Sequence, residues 1–116
     1  MPKLFELEHH HDCCHGIFNE NLDMDKMLAL RPEIEELMPS INKPLLINLK
    51  AVDFLDSSAV GILALFYKNC YKINQKIAFL HPTPQAQAVL SMVGLGDLVP
   101  SFESTEEAIS YLIPST

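Results

Sequence analysis

A chain of 116 residues with 48% hydrophobic content has apolar material for one core and suits a single domain spanning 1–116. Its formal charge of −7, and the scatter of its eight Lys and Arg residues, leave no basic stripe for phosphate backbones and so exclude direct nucleic-acid binding. The longest apolar stretch, residues 59–67, contains Gly61 and falls far short of the roughly 20 residues that cross a bilayer.

Residues 1–4 carry one positive charge ahead of an acidic segment, unlike a signal peptide. Three cysteines, with Cys13 and Cys14 adjacent, make no disulfide framework and fit a reducing compartment. A cytoplasmic protein without membrane insertion is expected. In residues 1–21, Leu4-Phe5-Glu6-Leu7 and Ile17-Phe18-Asn19 flank a polar middle that ends at Gly16, and they read as two strands of a hairpin with a His/Cys-rich turn at 9–15.

Met24, Met27, Leu28, Ile34, Leu37 and Met38 recur at spacings of three and four, which predicts an amphipathic helix. Pro32 complicates it. An interior proline forfeits a backbone hydrogen bond at a cost of about 3 kcal/mol, so the regular helix is expected to begin near Arg31, after an irregular turn. Residues 44–49 are nearly all apolar without alternation, as in a central parallel strand covered on both faces. From Ser57 to about Tyr71 a dense apolar stretch reads as a largely buried helix, introduced by Asp56, Ser57 and Ser58, all good N-cap types.

Residues 76–80 form the next predicted strand, ended by His81-Pro82. Thr83-Pro84 opens a further helix that Gly94 closes. Residues 98–102 read as a short edge strand weakened by Pro100. Ser104 and Glu107 then form a capping box for a last helix carrying Ala108, Ile109 and Leu112. Two strands followed by alternating helices and strands imply an α/β fold with a largely parallel sheet core.

The chain leaves a central strand and enters a helix at Asp56-Ser57, which places the Ser57 hydroxyl beside unpaired helix N–H groups and the positive end of the helix dipole. A phosphate there would be tolerated by the fold. Beside Asp56 and near Asp53, it would add about −1.5 to −2 charges and repel an acidic or apolar partner that accepted the bare hydroxyl. Taken alone, a serine after an aspartate at a helix start is an ordinary cap.

The segment Ile47-Asn48-Leu49-Lys50-Ala51-Val52-Asp53-Phe54-Leu55-Asp56-Ser57-Ser58-Ala59-Val60-Gly61-Ile62-Leu63 resembles the strand-to-switch-helix segment of the STAS domain (sulphate transporter and anti-sigma factor antagonist). His81-Pro82-Thr83-Pro84 through Gly94-Leu95-Gly96-Asp97-Leu98 is similar to that family's third helix and closing Gly-Leu turn, and Glu20-Asn21-Leu22-Asp23 stands in place of its Gly-Glu-Leu-Asp. The resemblance implies a STAS-like mostly parallel or mixed sheet of about five strands, packed with about four helices. It further implies an anti-sigma factor antagonist acting by partner switching in transcription regulation. A serine kinase that doubles as anti-sigma factor would phosphorylate Ser57, a phosphatase would reset it, and a weak homodimer is allowed.

By the same resemblance, Asp56 shapes the phosphorylation site, Ser58 is its adjacent hydroxyl, and Asp23 lies near the same partner-binding surface. Asn21 and Glu20 depart from the pattern, as do Pro32 and Ala59. An adaptor subunit of a bacterial transporter, or a stressosome-like scaffold component, is the alternative on the same fold. A hydrolase would need Ser57 or Ser58 with His81 as base, but the elbow Gly-x-Ser-x-Gly is absent and both serines are expected to be engaged in capping; no enzyme activity and no cofactor are expected.

Residues 9–15 hold four His and two Cys. In a continuous extended strand His9, His11, Cys13 and His15 would project to one face, yet consecutive strand residues rarely wrap one ion and the Cys-x-x-Cys spacing is missing. A polar hairpin turn without a metal is the expectation. Phe66, Tyr67 and Tyr71, at helical spacing, read as core and rim packing, and Cys70 as a small buried hydrophobe.

Overall fold

The computed structural model describes residues 3–114; Met1, Pro2, Ser115 and Thr116, at the outer limits of the predicted hairpin and domain, lie outside the described residues. Five strands form one sheet in the order β1 (Phe5–His9), β2 (Cys14–Phe18), β3 (Leu45–Asn48), β4 (Ile77–Leu80) and β5 (Ser101–Phe102). β1 pairs antiparallel with β2, and every later pairing is parallel. The predicted mixed sheet and hairpin are thus present, with β3 and β4 at its centre, where their apolar runs are buried.

Helices cover both faces. α1 (Met24–Leu37), α2 (Ser57–Lys72), α3 (Pro84–Met92) and α4 (Leu95–Leu98) supply a large core with Phe18, Ile47 and Phe79, whereas α5 (Thr105–Leu112) closes a smaller one on Leu46, Ala78 and Leu80. Five α-helices stand among the described residues where about four are expected. The extra one is α4, which occupies the Gly-Leu turn: Gly94 adopts φ +82, a left-handed conformation that ends α3 and starts the next turn at once. The edge strand shrinks to Ser101–Phe102 because residues 95–98 are helical.

α1 corrects the expectation for Pro32. It is one helix through the proline, capped by the Asp23 carboxylate on the Lys26 amide at 3.0 Å. Met27, Leu30 and Ile34 are buried on either side of Pro32. Each such side chain contributes about 1.5–3 kcal/mol, so together they outweigh the ~3 kcal/mol proline cost. The carbonyl that loses its donor belongs to Leu28, which is 67% exposed, so water can serve it. Leu28 and Met24 leave the predicted apolar face and stand on the surface.

The hairpin is also longer than predicted. Both strands run into the His/Cys segment and leave a turn of only four residues, in which the His10 amide donates to the Cys13 carbonyl at 2.9 Å. Gly16 permits this pairing. A Cβ there would meet the Phe5 ring at 3.1 Å, and Phe5 stacks at 4.7 Å on Phe18 and 5.6 Å on Phe66.

Candidate functional site

Two helix N-termini meet at the carboxyl end of β3. Leu22, just ahead of α1, forms a parallel bridge with Leu55, just ahead of α2: the Leu22 amide donates to the Phe54 carbonyl at 2.9 Å and the Asp56 amide to the Leu22 carbonyl at 3.3 Å. This short bridge sets Asp23 and Asp56, the two helix caps, on one surface.

Asp56 is the cap of α2. Its Oδ1 accepts from the amides of Ser58 at 3.0 Å and Ala59 at 3.2 Å, and from the Ser58 hydroxyl. The Ser58 hydroxyl foremost, then the amides of Ala59, Ser58 and Met24, hold the Asp56 carboxyl below the usual carboxylate range against the opposing effect of burial. Ser57 occupies the first helical position and is exposed, and its hydroxyl has no hydrogen-bond partner among the described residues. The two serines thus differ: Ser58 is tied to Asp56, while Ser57 is not engaged in capping, contrary to expectation.

The loop between β3 and α2 is held from three sides. Asn21 Oδ1 accepts from the amides of Asp53 at 2.7 Å and Phe54 at 2.9 Å, Thr83 Oγ1 donates to the Val52 carbonyl at 3.0 Å, and Asn48 Oδ1 accepts from Lys50 N at 2.9 Å. Thr83 Oγ1 also caps α3 by accepting from the Ala86 amide. Asn21, a departure from the family pattern, supplies the acceptor oxygen that a carboxylate would offer. Lys26 gathers Glu20 at 2.8 Å and the Asn21 carbonyl at 3.1 Å, which closes the same loop from the α1 side.

Around Ser57 the surface is partly apolar. Met24, Leu28 and Phe54 are 57%, 67% and 53% exposed. A hollow of about 190 Å³ between α1 and α2 is lined by Leu28, Arg31, Ser57, Ser58 and Gly61 over a floor of Met27 and Ile62. Sequence reading missed Met24, Leu28 and Phe54, because an apolar residue is presumed buried until the tertiary packing shows which helix face is left over. His81 lies 3.9 Å from Glu103, and no hydrogen bond joins it to Ser57 or Ser58 among the described residues.

The model of the STAS domain family matches residues 5–108. The chain belongs to the STAS domain family. No curated protein sequence matches it. Among solved structures, the STAS chain is similar to the unphosphorylated form of the anti-sigma factor antagonist SpoIIAA (22% identity, TM-score 0.78, covering 97% of this chain and 98% of that one). It is also similar to the phosphorylated form of the Bacillus cell-fate determinant SpoIIAA (23%, 0.68, 92% and 97%) and to an anti-sigma factor antagonist from Mycobacterium paratuberculosis (23%, 0.79, 93% and 92%). At these identities the likeness is one of fold. None of the helices described in this STAS domain is long and apolar enough to cross a membrane.

At the other end of the sheet, the set His9, His11, Cys13 and His15 is not assembled. The turn at 10–13 reverses the chain, so strand alternation does not continue through it. His9 lies on the α1 side, with its Nδ1 3.5 Å from Cys14 Sγ and its Nε2 3.5 Å from Ser40 Oγ, whereas His15 lines the α5 side with Leu46. His11 has a fully exposed side chain near Asp12. Burial pushes the thiols of Cys13 and Cys14 up, and that of buried Cys70 to about 12.

Proposed function

We propose that this STAS domain is a non-enzymatic, cytoplasmic anti-sigma factor antagonist that switches partners through reversible phosphorylation of Ser57. The observation that carries this reading is the free, exposed hydroxyl of Ser57 at the first position of α2, beside a Ser58 hydroxyl already committed to Asp56. A kinase can take the Ser57 hydroxyl without breaking the cap. The exposed Met24, Leu28 and Phe54 supply apolar contact for the unmodified state.

Phosphate on Ser57 changes charge more than shape. It adds about −1.5 to −2 charges beside the ionised Asp56, whose Oδ1 already takes the Ser58 and Ala59 amides that a phosphate would otherwise use. Arg31 lines the same hollow but is already paired with Glu35 at 2.8 Å, which limits how much of that charge it offsets. The partner would be a serine kinase that is also the anti-sigma factor, with a phosphatase resetting the serine; Asp23, Asp56, Ser57 and Ser58 form the docking surface.

The test is capture of the native partner from cytoplasm, followed by phosphorylation with ATP and peptide mass spectrometry. Phosphate on Ser57 alone, and weakened kinase binding by Ser57→Asp, are expected. Phosphate on another residue together with undiminished binding by Ser57→Asp would overturn the mechanism, and a transporter ATPase as the captured partner would replace it with an adaptor role.

A further inference from the structure

The hairpin end of the sheet carries a second constellation. Glu8 of β1 and His15 of β2 are register partners across the antiparallel pair, and His10 follows at the turn. One ligand atom from each of the three lies within 4.8 Å of the others. Glu8 Oε1 is 3.1 Å from His10 Nε2 and 3.8 Å from His15 Nδ1. Tetrahedral zinc, with bonds of about 2.0–2.1 Å to nitrogen and oxygen, holds its ligand atoms about 3.3–3.5 Å apart, between these two separations.

We propose that Glu8, His10 and His15 form a binding site for a divalent transition-metal ion of the zinc, nickel and copper class. Two imidazoles and a carboxylate suit these ions better than calcium or magnesium, which prefer all-oxygen shells. The backbone is already in place. Glu8 and His15 sit on paired strands, and the turn is pinned by the His10 amide on the Cys13 carbonyl at 2.9 Å and by Lys43 Nζ on the His10 carbonyl at 2.8 Å. Closure on an ion therefore needs side-chain rotation and little chain ordering.

His15 sets the strength to be expected of the site. Its side chain is only 21% exposed, its Nε2 is enclosed without a hydrogen-bond partner, and its Nδ1 is too far from Glu8 for a hydrogen bond. A metal on Nδ1 leaves the enclosed Nε2 unsatisfied. It also fixes the ring proton on Nε2, where no acceptor waits, and loss of such outer support weakens metal sites roughly 10–100-fold. The site is therefore a moderate chelator and not a structural zinc centre.

Three protein ligands leave a coordination position for water or an external ligand. His10 and His15 also line a hollow of about 390 Å³ whose walls include Leu46, Ile109 and Ile113, so that position has room. Histidine density alone does not make the site: His9 faces the other side of the sheet and His11 lies outside the cluster.

Zinc titration of the full chain by calorimetry, and in competition with a chromophoric chelator, tests it. One saturating equivalent is expected, with affinity reduced at least about 10-fold in each of Glu8→Gln, His10→Asn and His15→Asn, and retained in a His9→Asn/His11→Asn double variant. Glu8 and His10 are exposed, so their variants report on binding even if His15→Asn disturbs folding. Absence of saturable binding to the wild-type chain overturns the site, as does loss of binding in the His9/His11 double variant with retention in Glu8→Gln and His10→Asn.

Discussion

Asp56 and Ser57 divide the work at the start of α2. Asp56 carries the structural role, taking two amides and one hydroxyl on Oδ1, and this leaves Ser57 free. Replacing an N-cap aspartate by alanine costs about 1 kcal/mol, so Asp56→Ala should lower the unfolding free energy measured in urea by that much, and Asp56→Asn by less. The pH dependence has a definite sign. Because the folded-state pKa of Asp56 is lowered, its stabilisation is complete above the unfolded value of about 3.9 and is lost as pH falls through the lower folded value. The stability gap between wild type and Asp56→Asn should therefore narrow on acidification below about pH 4; a gap that widens there would contradict the cap assignment. The cap type was legible in the sequence, but which of three adjacent candidates serves was not, since Asp56, Ser57 and Ser58 are all competent and only the φ/ψ of the turn selects one.

At the scale of elements, α1 shows a local penalty overruled by burial. Pro32 withholds one hydrogen bond, yet Met27, Leu30 and Ile34 keep the helix continuous. Pro32→Ala should then stabilise the chain by at least about 1 kcal/mol in chemical denaturation, because the restored bond exceeds the entropy regained by the unfolded chain. A destabilised variant would show that Pro32 makes contacts of its own. The hairpin illustrates the opposite limit of sequence reading. Its existence follows from the two apolar runs, whereas the strand ends depend on the closely fitted Phe5 ring over Gly16 and on Cys14 pairing with Leu45 of β3. Those contacts recruit polar histidines into β-structure that composition alone assigns to a loop.

The whole molecule is a sheet with unequal cores and two different ends. Phe66 lies in the large core under α1 and α2, and Leu112 in the small one under α5. Phe66→Ala should cost about 3–5 kcal/mol and Leu112→Ala nearer 2, as measured by thermal or urea unfolding; equal losses would mean that the α5 face is as tightly packed as the other. Ser57 stands beyond the carboxyl end of β3, while the Glu8, His10 and His15 cluster stands at the hairpin, where Cys14 pairs with Leu45 at the start of β3, so the two sites occupy opposite ends of the sheet. The sequence by itself determined the alternation of strands and helices, the buried central strands, the starts of α2, α3 and α5 and the segment around Ser57, because periodicity, capping chemistry and motif spacing are local. Tertiary structure alone decided that Ser57 is free and Ser58 is bound, that Met24, Leu28 and Phe54 are left exposed, and that Glu8 joins His10 and His15. The first follows from the φ/ψ of the turn at Asp56, and the others depend on chain reversal or on the bridge between Leu22 and Leu55, which unites residues more than thirty positions apart in sequence.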